Sequence, residues 1–520
     1  MNDLELRPFG RTAFAFGCGA VTVGTLLHLP MFLMARNTGW RLAGMPMDAG
    51  MLSGMALIVL GVAFAAYGLL PRQGARHVAT IQVQAADDAP LTLQHWLLLL
   101  TLAIGLVIDI MKPASLGFVV PGMKAEYGLQ KAQVAWLPLF ALTGTFVGSL
   151  LWGWFADIYG RRASILLAAI MFVGTTICGA MPSFAWNVAM CFIMGASAGG
   201  MLPVVYALLS ETMPARHRGW ALVLLGALGA AGGYLAASSL STWLQPLFGW
   251  RILWFVGLPT GLILILFSRF IPESPRFLVA TGRLAEARRV FERFGAQIEV
   301  VASPSAPEAP TPQRSAGSGG LSITVLSFLA IAWSLTNFGL LLWLPSELVA
   351  RGFKVEVISK LLAQSTVMGL PAVLLAAPLY SRWSTKGTLV LCGGVTAAGL
   401  AGLIFFDHLG IVPRWLPLSC LILGSNAMLA TMLPYSAEAA SVLVRGRATG
   451  WIAGCTKFGG VIAQGLGILG LAPGIGLASS ILIGALVLPL VALGWVGPET
   501  RTGPIDDGLF GARRASKDAA

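Results

Sequence analysis

The chain has 520 residues, 56% of them hydrophobic and only 11% charged, with a mean hydropathy of +0.79; globular soluble domains carry about 25% charged residues, so a soluble fold of this size is excluded. The net charge of +12 comes from basic residues set between apolar runs, a pattern of membrane topology and anionic-lipid contact rather than nucleic-acid binding. Cys18, Cys178, Cys191, Cys392, Cys420 and Cys455 all fall in apolar runs without C-x-x-C spacing, and read as small buried hydrophobes, not as disulfides or metal ligands.

Apolar runs near 20 residues, the length that crosses a bilayer as a helix, recur fourteen times: 12–35, 49–70, 96–120, 134–155, 163–181, 184–208, 219–241, 252–268, 322–345, 361–378, 387–406, 415–435, 448–470 and 476–496. The first is too long for a signal peptide, lacks a small-residue cleavage site and is followed by a second span after a short loop, so it is read as a membrane helix. With the N-terminus inside, 23 of the 34 basic residues fall in cytoplasmic segments, nine fall outside, and Lys112 and Lys457 fall within spans. The positive-inside rule therefore predicts both termini in the cytoplasm, in a multi-pass protein of a cell membrane such as the bacterial inner membrane.

Two polar interruptions exceed ordinary loop length. Residues 71–95 separate the first two spans from the rest, and 272–321 contain an Arg-rich amphipathic segment followed by a Pro/Ala/Ser/Gly-rich stretch, 302–320, of flexible-linker composition. The predicted organisation is 1–95, two helices and a linker; 96–271, six helices; 272–321, a cytoplasmic linker; 322–497, six helices; and 498–520, a cytoplasmic tail. The two six-helix segments echo one another. Glu211 precedes Arg218-Gly219 by seven residues at the end of the fourth core span, and Glu438 precedes Arg445-Gly446 by the same interval at the end of the tenth. Glycine-containing spans follow each, with Gly229 and Gly233 in one and Gly450 and Gly454 in the other, spacings that admit close helix packing. An internal duplication of the kind found in transporters is predicted.

Between the second and third core spans stands Gly153-Trp-Phe-Ala-Asp157-Ile-Tyr-Gly160-Arg161-Arg162. With Glu211-Thr-Met-Pro-Ala-Arg-His-Arg218-Gly, Pro272-Glu273-Ser-Pro-Arg276 and Pro498-Glu499-Thr500, the chain resembles the major facilitator superfamily over about residues 96–500, within it the sugar-porter, aromatic-acid:proton symporter and organic-ion branches. The resemblance implies an all-α fold of twelve helices in two six-helix halves, to which this chain adds two N-terminal helices. It also implies a cytoplasmic latch. Gly153 would admit close helix approach, Asp157 would accept from backbone amides at a helix N-terminus, and Arg161 and Arg162 would pair with Glu211 and Glu273, with Gly160, Arg218 and Arg276 completing the motifs. The counterpart Leu379-Tyr-Ser-Arg382-Trp-Ser-Thr-Lys386 lacks the aspartate, so its latch is expected to place Arg382 and Arg445 near Glu438. The competing reading of these basic residues is topology alone. Related families carry an arginine in the fourth span where this chain has Cys191, so that residue's coupling role does not transfer.

Few ionisable groups lie within spans. Asp109 and Lys112 in the first core span, and Lys457 in the eleventh, each cost roughly 2.5–3.5 kcal/mol at a helix centre on insertion scales, so each should face a cavity or a partner. Positions i and i+3 share a helix face, and Pro113 weakens the helix there. Asp109, with Lys112, is the proton-coupling candidate, although the two could simply neutralise each other or Lys112 could snorkel to the periplasm. Lys457 is the candidate partner of a substrate carboxylate. Asn337, Gln364, Asn426 and Gln464 are further substrate-binding candidates, against the alternative that each hydrogen-bonds helix to helix. No nucleotide-binding loop, nucleophile constellation or metal cluster is visible; His28, His77, His95, His217 and His408 are scattered singly. The expected activity is secondary transport by alternating access without a cofactor, coupling protons to uptake of a small organic anion, an aromatic or other carboxylate. The alternatives are a sugar, polyol or drug carrier, importing or exporting, and a transporter-like receptor; an enzyme is not expected.

Overall fold

A computed structural model describes residues 10–70, 82–84, 90–295, 299–301, 318–405, 415–439 and 445–500. Its membrane helices, in chain order, are α1 Gly10–Leu26, α2 Ala49–Leu69, α3 Leu93–Tyr127, α4 Trp136–Tyr159, α5 Arg161–Gly174, α6 Phe184–Thr212, α7 Ala215–Phe248, α8 Ile252–Phe270, α9 Leu321–Ala350, α10 Val355–Arg382, α11 Thr385–Ile404, α12 Trp415–Ala439, α13 Arg445–Ile468 and α14 Ile475–Val496. Thirteen are long and apolar enough to cross a membrane. The other, α13, has 24 residues, or about 36 Å at 1.5 Å per residue, and is less apolar because it carries Arg445, Arg447, Lys457 and Gln464. Helices dominate because lipid offers the backbone no hydrogen bonds, so each segment must satisfy its own.

Glycines set which helices touch. On α1 and α2 they recur every seven residues, and a methyl on Gly17 would stand 2.6 Å from Gly61 O, one on Gly24 2.6 Å from Gly54 O; the two helices form a tight antiparallel hairpin. That hairpin lies against α5, where Gly174 meets Ile58. Gly144 and Gly148 of α4 abut the carbonyls of Phe192 and Ala196 on α6, and Gly195 and Gly199 return the contact at Ala141 and Thr145. Gly229 and Gly233 of α7 seat Leu106 and Ile110 of α3, as their spacing predicts. Gly450 has open space around it, and Gly454 has only Phe146 nearby; here the expected close packing shifts to Gly459 and Gly460, which meet Ile331 and Phe338 of α9.

Chain alternation gathers the ends of α4, α6, α10 and α12 on one face, together with the short helices Pro275–Ala280 and Leu284–Arg293. This is the basic face. A three-residue antiparallel ladder, Gln82–Gln84 with Glu299–Val301, joins the two long connections. On the opposite face Glu126 binds the loop between α1 and α2 to the rest. Its carboxylate accepts from Leu42 N (2.8 Å), Ala43 N (2.9 Å) and Trp250 Nε1 (2.9 Å) and pairs with Arg251 (2.7 Å). Arg251 is fully buried and also donates to Tyr127 Oη and to the Met181 carbonyl.

Candidate functional site

Four helices of the first half and three of the second converge on one cavity. Its empty volume, including the opening to solvent, is about 910 Å³. Asp109, Pro113 and Phe118 reach it from α3, Thr145 from α4, Tyr234 from α7, Trp333, Asn337 and Phe338 from α9, Asn426 from α12 and Lys457 from α13.

Local sequence explains how the polar groups come to face it. Pro113 has no N–H, so the helical bond to the carbonyl of Asp109, four residues earlier, cannot form; the chain is locally open where the acid sits. In α9 the segment Leu335–Leu341 is a π-helix, a wide turn often found at functional sites, and it presents Asn337, Phe338 and Leu341 to the cavity. No feature of the sequence reading anticipated that turn.

Asp109 is buried and Lys457 is half-buried. Each is the charged group acting on the other, yet among the described residues no direct ion pair joins them. The Lys457 ammonium lies 5.3 Å from the centre of the Phe338 ring, a cation–π arrangement. Asp109 and Lys457 are thus brought together from opposite halves.

Lys112 is not. Its side chain is fully buried and leaves the cavity, and its ammonium donates to Phe172 O (2.9 Å) and Thr175 Oγ1 (3.0 Å), 3.9 Å over the Phe172 ring. The expectation that Asp109 and Lys112 share a cavity face is corrected. Three residues along a helix rotate the side chain by about 60° in net terms, and a lysine's long stem carries that difference into the α3–α5 interface. There α5 changes from α-helix to the 3₁₀ turn Thr175–Ala180. The freed carbonyl end favours a cation, and Lys112 supplies it.

The four amide candidates separate likewise. Asn337 Nδ2 donates to Trp333 O (3.2 Å) and its Oδ1 accepts from Ser425 Oγ (3.4 Å). Asn426 lines the cavity with a buried Nδ2 that has no hydrogen-bond partner among the described residues. Gln464 ties α13 to α9, donating to Phe338 O and accepting from Trp343 Nε1 (2.9 Å). Gln364 is exposed on the outer side of α10, beside the exposed Val367 and Met368, and does not reach the cavity. The periodicity of an apolar helix with little amphipathic contrast could not reveal which side Gln364 takes.

On the basic face the latch forms with a different division of labour. Glu273, not Asp157, caps the N-terminus of α5: its Oε1 accepts from Arg161 N (2.7 Å), Arg162 N (3.3 Å) and Ser274 N (2.9 Å). Gly160, at φ 101°, is where the carboxylate rests against the backbone, so a side chain there would be both strained and in its way. Burial raises the Glu273 carboxyl above the ordinary range, against the lowering by these amides. Arg161 pairs with Glu211 (3.3 Å) and with the exposed Asp157 (3.1 Å), and Ser274 Oγ donates to Glu211. The Arg162 guanidinium makes no ion pair among the described residues. Arg276 is exposed and Arg218 half-buried at the start of α7. Gly153 has open space around it, so the close approach expected of it is absent.

The second half repeats the device. Glu499 caps α11, accepting from Thr385 N (2.9 Å), Thr385 Oγ1 (2.6 Å) and Ser384 Oγ. Glu438 accepts from Tyr380 Oη (2.7 Å) and Thr500 Oγ1 (2.6 Å). Thr500 thus mirrors Ser274, and Tyr380 takes the place that Arg161 holds. Arg382 is exposed and the side chain of Arg445 lies outside the described residues, so the pairing expected of Arg445 with Glu438 falls outside them too; the hydroxyls of Tyr380 and Thr500 are among the contacts of Glu438. Glu499, Thr500 and Tyr380 were missed as site residues, although Pro498-Glu499-Thr500 already echoes Pro272-Glu273-Ser274 in the sequence.

Known proteins share this architecture. The chain is 27% identical over 395 residues to the niacin transporter NiaP of Acinetobacter baylyi, covering 73% of this chain and 88% of that one. It is 30% identical over 449 residues to the 4-hydroxybenzoate transporter PcaK of Pseudomonas aeruginosa, covering 79% and 94%. Among solved structures, the partially occluded inward-open xylose transporter XylE of E. coli superposes with a TM-score of 0.62 at 16% identity, covering 79% of this chain and all of that one, which shows the fold. Residues 97–464 match the Major Facilitator Superfamily model. The chain belongs to the major facilitator superfamily.

Proposed function

We propose that this secondary transporter carries a small aromatic or similar carboxylate into the cell together with a proton, the halves 96–271 and 322–497 rocking about the central cavity and both termini lying in the cytoplasm. The observation that carries the reading is one acid and one base, Asp109 and Lys457, facing one cavity from opposite halves without a direct ion pair. The names of the relatives, transporters of niacin and of 4-hydroxybenzoate, supply the substrate class.

Charge balance then links the two cargoes. A net charge in a membrane-embedded cavity is costly, roughly 2.5–3.5 kcal/mol for a single side chain on insertion scales, so reorientation favours a neutral cavity. Empty, the cavity is neutral when Asp109 is ionised beside the Lys457 ammonium. Loaded, it is neutral when Asp109 holds a proton and the substrate carboxylate faces Lys457. The proton alone leaves a net positive cavity and the carboxylate alone a net negative one, so neither travels well by itself. The result is one proton per carboxylate. The phenyl and indole walls, Phe118, Phe338 and Trp333, suit a ring. The capped ends at Glu273 and Glu499 would hold the cytoplasmic side shut and release it when the halves rock.

Proteoliposome uptake under an imposed pH gradient, with a panel of aromatic carboxylates against neutral sugars, tests the proposal. Carboxylates should accumulate against their gradient with acid outside. Preference for sugars, or uptake indifferent to pH, refutes it.

A further inference from the structure

The cavity contains two asparagines with unequal fates. Asn337 spends its amide on Trp333 O and Ser425 Oγ, Trp333 Nε1 donates to Ser425 O (2.7 Å) and Thr145 Oγ1 to Ala141 O (2.8 Å), while Tyr234 brings a phenol to the same wall. Asn426, one residue from Ser425 on α12, lines the same cavity with its Nδ2 buried and without a partner among the described residues. Buried amide donors are nearly always satisfied, and leaving one unmade costs about 1–3 kcal/mol. A donor left vacant on the wall of a ligand cavity is available to a ligand or to water.

We infer that Asn426 Nδ2 reads a hydrogen-bond acceptor on the substrate's ring, so that the preferred substrates are aromatic carboxylates bearing a ring nitrogen or a phenolic oxygen rather than unsubstituted arenecarboxylates. The inference rests on the carboxylate reading above and adds to it the second recognition point. Lys457 holds the charged end of the substrate and the aromatic walls hold its plane. Asn426 then discriminates among rings of equal charge and similar area, because a ring without an acceptor leaves its Nδ2 unpaired, a stronger basis for selection than shape alone.

The test is competition against transport of a labelled aromatic carboxylate in proteoliposomes holding the full chain, with benzoate, 4-hydroxybenzoate and pyridine-3-carboxylate as probes. In the native protein the last two should compete about 10-fold to 100-fold more strongly than benzoate, the range that one unpaired buried donor supplies. In Asn426→Leu that ratio should fall to about one, with benzoate competing at least as strongly as in the native protein because it no longer leaves a donor unpaired. Benzoate competition thereby reports that the variant is folded, and Asn426→Ala is the second variant should the leucine not fit. Equal competition by the three probes in the native protein, or an unchanged ratio in the variants, overturns this inference alone. Failure of all three probes to compete overturns the carboxylate reading and this inference with it.

Discussion

Replacing Lys457 with methionine keeps most of the side-chain volume and removes the cation that faces Asp109 across the cavity. In the native protein the ammonium has a ring at 5.3 Å and Asp109 as its charged neighbour, but no direct ion pair that a substrate must first break. Most of the contact with an incoming carboxylate is therefore available as affinity. A hydrogen bond to a charged group is worth roughly 1.5–3 kcal/mol, and each 1.4 kcal/mol is tenfold, so the half-saturation concentration for an aromatic carboxylate should rise about 10-fold to 150-fold. The assay is uptake of the labelled acid in proteoliposomes, with the uncharged amide of the same acid as a competitor. The amide should compete about equally in native protein and variant. An unchanged half-saturation for the acid, or equal losses for acid and amide, refutes the assignment of Lys457 to the carboxylate.

Other variants separate structural from transport roles. Lys112→Met should lower the melting temperature in detergent, since the end of α5 loses its cation, while leaving the half-saturation concentration within about twofold; a large change there would return Lys112 to the cavity. Glu126→Ala leaves the fully buried Arg251 without its counter-ion and should cost about 3–5 kcal/mol, whereas Glu126→Leu combined with Arg251→Met should recover most of the lost stability. Equal melting of the single and double variants would contradict the network. Glu273, raised above its ordinary 4.5 by burial, contributes stability at low pH that is lost as pH rises through its folded-state value. The melting temperature of the native protein relative to Glu273→Gln should accordingly fall between pH 4.5 and neutrality and be flat below. A constant difference over that range would show that the amides outweigh burial.

The membrane class, the helix count and the duplicated halves were legible in the sequence because each follows from run length and composition, which lipid constrains strongly. Asp109 and Lys457 were legible for the same reason: an ionisable group in a span is costly, so its few instances stand out. Facing was not legible. Lys112 and Gln364 lie in helices whose two sides are almost equally apolar, so periodicity carried no signal about which side meets the cavity, a neighbouring helix or lipid. The π-turn at Leu335–Leu341, where Asn337 meets Ser425 of α12 and Phe338 O accepts from Gln464 of α13, has no local sequence marker. The latch was half legible. Its acids were marked by motif, but the identity of the cap was decided by geometry, since Glu273 on a following segment reaches the α5 amides while Asp157, at the end of α4, points into solvent with its side chain 73% exposed.

In the proposed cycle a neutral cavity is the condition for reorientation, and Asp109 provides it when no substrate is bound. Asp109→Asn leaves Lys457 uncompensated in the empty cavity but balanced by carboxylate in the loaded one. The loaded carrier should still reorient while the empty carrier should not. The decisive measurement compares net pH-driven accumulation of an aromatic carboxylate with exchange of internal for external carboxylate in this variant. Accumulation should be lost while exchange persists; accumulation that remains pH-dependent, or loss of exchange in a folded variant that still binds the carboxylate, would refute the neutral-cavity condition.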